Sequence, residues 1–191
     1  MQGGVKRLFR AGLLVGLFLL ASGCASTGTS QCTSPNWERL GFQDGEEGRP
    51  ASWIEKHQDK CAGEGRLANL ALYQRGHQQG IKAYCTPTSG YRVGSFDRSY
   101  QNVCPSDLEP AFLGGVRIGK QVFAIRQRRS DIENRLASIR AMRAKPSLST
   151  SEAARLIQES QQLEAQREQL EVELNRIKIE AKAYIEDHRL Q

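Results

Sequence analysis

From residue 118 onward, apolar side chains recur in alternating steps of four and three. Positions 118, 122, 125, 129, 132, 136, 139 and 143 hold Ile, Val, Ile, Arg, Ile, Leu, Ile and Arg. A second run, 156, 160, 163, 167, 170, 174, 177, 181 and 184, holds Leu, Ser, Leu, Arg, Leu, Leu, Ile, Ala and Tyr. This spacing draws one apolar stripe along a helix, as a coiled-coil seam requires. Ser106-Asp107-Leu108-Glu109 and Ser149-Thr150-Ser151-Glu152 both read as capping boxes, and Pro146 separates the two runs. The pattern predicts helices over about 106–145 and 150–188. The short link between them favours an antiparallel hairpin over 106–190. Arg129 and Arg167 interrupt the seams at the same predicted level, within reach of Glu164 and Glu168 or beside an opening for a third helix.

Upstream the pattern changes character. All 18 glycines lie at or before Gly119, and the 72 residues after it contain none. All five cysteines lie at or before Cys104. An aromatic followed by glycines three or four residues apart recurs as Trp37, Gly41, Gly45 and Gly48; as Tyr73, Gly76 and Gly80; as Tyr91 and Gly94; and as Phe112, Gly115 and Gly119. Spacing of four places two glycines on one helix face. A helical glycine costs roughly 1 kcal/mol relative to alanine, so close approach of another backbone is the expected compensation. Residues 66–83 read as a helix, and Pro50 suits the first turn of a short helix after it. Asp44-Gly45 reads as a turn, with Asp44, Glu46 and Glu47 as a solvated acidic patch. Residues 86–105 read as loop or short extended pieces. The fold class expected is mainly α: a small disulfide-stapled, glycine-rich helical module over 32–105, then the long hairpin.

The N-terminus is of a third kind. Lys6, Arg7 and Arg10 precede an uncharged apolar run over 11–21, followed by Ala21-Ser22-Gly23-Cys24. The run is too short to span a bilayer, which needs about 20 residues. It reads as a secretory signal over 1–23. Its end resembles the lipobox of bacterial lipoproteins, with Ala21 where Leu is usual. That resemblance implies an acylated Cys24, a tether over 24–31, anchoring in a membrane and, because Ala25 rather than Asp follows, sorting to the outer membrane with the protein facing the periplasm. Removing the signal lowers the net charge from +6 to +3. A charge so modest, in that compartment, argues against nucleic acid as a partner.

Cys32, Cys61, Cys85 and Cys104 remain: an even count in an oxidising compartment, which points to two disulfides. Four cysteines allow three connectivities, and Cys32–Cys61 with Cys85–Cys104 is preferred. Their separations of 29, 24 and 19 residues do not suit a zinc site. No cofactor and no metal are expected. His57 and His77, in EKHQ and RGHQQG, read as surface residues, and no nucleophile elbow, calcium loop or phosphate loop appears. No catalytic residue is assigned.

The order Trp37, Gly41, Asp44-Gly45, Gly48, Tyr73, Gly76, Gly80, Tyr84-Cys85, Gly90, Tyr91, Gly94, Tyr100, Cys104-Pro105 and Phe112 resembles a family of Gram-negative envelope lipoproteins catalogued only as a domain of unknown function. The resemblance covers roughly residues 30–120 and implies a framework without an activity. Residues 116–145 carry a net +7 and residues 146–191 a net -3, so the two arms attract. The function expected is a non-enzymatic envelope lipoprotein: a membrane-anchored scaffold whose hairpin docks an envelope protein or a second copy of this chain. The alternative is a glycan- or small-ligand-binding module with Trp37, Trp53 and the tyrosines as stacking groups.

Overall fold

A computed structural model describes residues 36–61 and 68–189. Cys24 and Cys32 lie outside the described residues, as do the signal and the tether. The described chain is helical: α1 (Trp37–Glu46), a single 3-10 turn (Ala51–Trp53) leading into α2 (Ile54–Cys61), α3 (Leu70–Tyr84), α4 (Pro87–Ser95), α5 (Glu109–Arg143) and α6 (Thr150–Asp187). Among the described residues no helix is long and apolar enough to cross a membrane.

The glycines explain the first half. Along α1 and α3, a Cβ at Gly41 would fall on the Tyr73 carbonyl, one at Gly45 on that of His77, one at Gly76 on that of Glu38 and one at Gly80 on that of Phe42. The two helices therefore touch backbone to backbone, and because Gly41 faces Tyr73–His77 while Gly45 faces His77–Ile81, they run in the same direction. The construction is repeated downstream. Gly90 and Gly94 of α4 face the Phe112 and Val116 carbonyls of α5, and Gly115 and Gly119 face those of Pro87 and Tyr91. The module is thus two copies of one parallel helix pair.

The copies also end alike. After α1, Arg49 N–H bonds the Asp44 carbonyl and Gly48 N–H that of Gly45; after α4, Arg98 N–H bonds the Val93 carbonyl and Asp97 N–H that of Gly94. Both are Schellman caps. Gly48 takes φ +72° and Asp97 φ +49° at the equivalent left-handed position. Parallel neighbours need a return segment. In the first pair it carries α2. In the second it is the strap 96–108, tied down by the Cys85–Cys104 disulfide and by Tyr100, whose hydroxyl donates to Glu109 at 2.8 Å and accepts from Cys104 N–H at 3.0 Å.

Three expectations are corrected here. Residues 87–95 are helical rather than loop: Thr86 caps the helix at Ser89 N–H, Pro87 occupies its first turn, and pairing with α5 overrides the glycine content. Asp44-Gly45 is not a turn but the last turns of α1; the turn comes three residues later, at Gly48. The capping box at Ser106 does not form: Leu108 precedes the helix without a side-chain cap, and Glu109 is engaged by Tyr100 instead.

The hairpin forms between α5 and α6. The Ser149–Glu152 capping box is present with both of its bonds. Ile118, Val122, Ile125, Ile132, Leu136 and Ile139 are buried on α5, and Leu156, Leu174, Ile177 and Ala181 on α6. Leu163 and Leu170, in the middle of α6, are half-buried. Tyr184 returns to the module, where its hydroxyl donates to the Ala111 carbonyl at 3.1 Å and fills the notch left by Gly114. The first turns of α5 belong to both parts, since they pair with α4 and begin the hairpin. A core of Ile81, Tyr84, Cys85, Val93, Phe112 and Val116 joins the two helix pairs.

Candidate functional site

The polar centre of the module is Asp44, on the same face of α1 as Trp37, Gly41 and Gly45. It is 1% exposed. Arg49, just past the α1 cap, donates to Oδ1 at 2.7 Å. His57 Nε2, from α2, lies 2.7 Å from Oδ2, and the Tyr73 hydroxyl, from α3, donates to Oδ2 at 2.7 Å. Burial alone would raise the carboxyl, but the hydrogen bonds from Tyr73, His57 and Arg49 outweigh it and hold Asp44 below the ordinary carboxylate value. Burial and the bond to Asp44 push the Tyr73 phenol upward. His77, one turn after Tyr73, stacks on its ring at 5.9 Å between centroids and donates to the Arg49 carbonyl at 2.7 Å.

Both carboxylate oxygens are engaged by protein donors, in a group only 1% exposed. The cluster joins α1, α2, α3 and the Gly48 cap through one buried charge. Asp44 is therefore not a solvated acidic residue, and His57 and His77 are not surface residues: His77 is 7% exposed. A signal was available, since Asp44 shares the glycine face of α1, and Tyr73 and His77 share that of α3.

The remaining motif residues find plain roles. Trp37 and Tyr73 are buried with Leu40 and Ile54. Trp53 is half-buried, with the Lys56 ammonium 3.5 Å and the Arg49 guanidinium 4.9 Å from its ring centre. Gly48 seats the Tyr84 ring, and Tyr84 meets Phe112 at 5.0 Å between centroids. Cys85 and Cys104 form the expected bridge, with 5.6 Å between Cα atoms. Cys61 closes α2, and its expected partner Cys32 lies outside the described residues. No group of three His, Cys, Asp or Glu that could hold a metal occurs among the described residues.

On the hairpin, Arg129 donates to Glu171 at 2.7 Å and approaches Glu133 at 3.5 Å. Its partners are therefore not the anticipated Glu164 and Glu168. Those two, with Arg167, line an open cleft beside it, and the Arg129 Nε is buried with no hydrogen-bond partner among the described residues. Arg135 and Glu159 make a two-pronged pair nearer the tip, at 2.7 and 3.0 Å.

No curated protein and no solved structure matches the chain. Residues 36–121 match the model of a family described as protein of unknown function (DUF2799). The match begins at Asn36, the N-cap of α1, and ends just past Gly119, so it spans both glycine-paired helix pairs and stops where the hairpin continues alone. Over this module the chain is similar to the DUF2799 family of proteins of unknown function.

Proposed function

We propose that the protein is a non-enzymatic cell-envelope lipoprotein, anchored through Cys24, whose module holds a projecting helical arm for docking. The observation that carries this is the mismatch of lengths around α5. The helix has 35 residues and its module partner α4 has nine, about 52 Å against about 14 Å at 1.5 Å per residue. Most of α5 thus extends beyond the module with only α6 beside it. The arm carries opposite charge on its two helices and is half-open in the middle, features suited to recognising another helix. The closed Asp44 cluster supports a structural rather than catalytic module. The signal and Cys24 support the anchor and an outer-membrane location facing the periplasm.

Two measurements test this. Cells fed labelled palmitate incorporate it into the wild-type chain and not into Cys24→Ala; label on the variant, or none on the wild type, overturns the anchor. A photo-cross-linker at Arg128, on the arm, captures a defined envelope protein, or a second copy of this chain, from intact cells. The same group at Lys82, on the module, does not. Equal capture from both positions overturns the docking arm.

A further inference from the structure

A second site emerges when the two helix pairs are compared residue by residue. Their Schellman caps align Asp44 with Val93, Gly48 with Asp97 and Arg49 with Arg98. In the first pair the arginine turns back onto its aspartate. In the second the aspartate is a valine, so Arg98 has no carboxylate beneath it. Its guanidinium stacks on Phe96 and makes no ion pair among the described residues. Arg92, six residues earlier, also makes none.

Both arginines line a cleft of about 450 Å³ between the C-terminal ends of α1 and α4. Tyr84 lines it too, and is only 6% exposed. Tyr73, Tyr100 and Tyr184 each donate to a protein oxygen. The Tyr84 hydroxyl has no protein hydrogen-bond partner among the described residues, and its oxygen is open to the cleft rather than sealed in the core. Burial raises its pKa, while Arg92 and Arg98 lie near enough to oppose that. The facing wall carries Glu46 and Glu47 at the end of α1, where the helix dipole favours a cation; Glu47 pairs with Arg49, whereas Glu46 makes no ion pair among the described residues. The glutamates and the two arginines share the cleft without meeting.

We propose that this cleft binds a small zwitterion, a free amino acid or short peptide. Its carboxylate is held by Arg92, Arg98 and the Tyr84 hydroxyl, and its ammonium by Glu46. The site is separate from the docking arm and does not depend on it.

The test is titration of the full chain with the dipeptide alanyl-alanine, with affinities read by calorimetry and the site located in the 13C-tyrosine-labelled wild type by NMR of the Tyr84 ring. Saturable shifts are expected, and both the N-acetylated and the C-amidated dipeptide bind at least about tenfold more weakly, the range for a lost charged hydrogen bond. Arg98→Gln, at the surface, and Tyr84→Phe, which keeps the ring on Gly48, each weaken alanyl-alanine by a similar factor at unchanged helicity. No saturable shift up to about 10 mM overturns the site. So does equal binding of a blocked dipeptide, or unaltered affinity in both variants.

Discussion

Asp44 is where a single residue decides most. Its carboxylate accepts from three side chains on three segments, so Asp44→Asn leaves donors facing an amide that cannot satisfy them all. A loss of about 2–4 kcal/mol is expected in chemical denaturation. The pH dependence follows from the direction of its shift. The folded carboxyl lies below its ordinary value of 3.8, so its stabilisation is complete above that value and is lost as pH falls through the folded one. The difference between wild type and Asp44→Asn should be constant near neutrality and shrink below about pH 4; a difference that stays constant into acid would show that the charge is not the source. Asp97 is a smaller lever. It holds a left-handed conformation that the other copy gives to glycine, and Asp97→Gly should raise stability by about 1 kcal/mol in the same assay.

Helix pairing sets the next scale. Alanine is the better helix former by roughly 1 kcal/mol, so on propensity alone Gly45→Ala and Gly115→Ala would stabilise. Each added Cβ would instead lie on the facing backbone, at the His77 and Pro87 carbonyls. Separation of the helices should more than cancel the gain, lowering the thermal midpoint by a net ~1–3 kcal/mol equivalent. The strap 96–108 has a different support. Opening the Cys85–Cys104 bridge, which closes a separation of 19 residues, should lower stability by about 3 kcal/mol, seen as a leftward shift of the denaturation curve for Cys85→Ala/Cys104→Ala.

For the whole molecule, stability is uneven along the arm. Ile139 is 1% exposed near the tip, whereas Leu170 is half-buried beside the Arg129 interruption. Ile139→Ala should lose about 2–4 kcal/mol and Leu170→Ala distinctly less. Hydrogen exchange should then be faster around Arg167–Leu170 than around Leu174–Ala181. If Leu170 is instead the more sensitive, another helix covers the middle of the seam in solution. The ends of the hairpin are secured by Tyr184 at the module and by the Ser149 capping box at the turn, whereas the middle relies on the Arg129–Glu171 pair and half-buried leucines.

The hairpin was legible because a seam is written in local periodicity: six apolar positions of α5 recur at the helical repeat and are buried where the repeat places them. The glycine faces were legible for a similar reason, as regular spacing within one helix. Which faces meet was not. Glycine at 90 and 94 reads as loop until α5 lies against it, because low propensity is reversed only by a contact distant in sequence. Asp44 reads as a solvated turn for the same reason, since the three groups that satisfy its charge lie five, 13 and 29 residues away. Local periodicity specifies helices and their inward faces; pairing of distant segments specifies which buried charges are satisfied, as at Asp44, and which polar groups, like the Tyr84 hydroxyl, have no protein partner among the described residues.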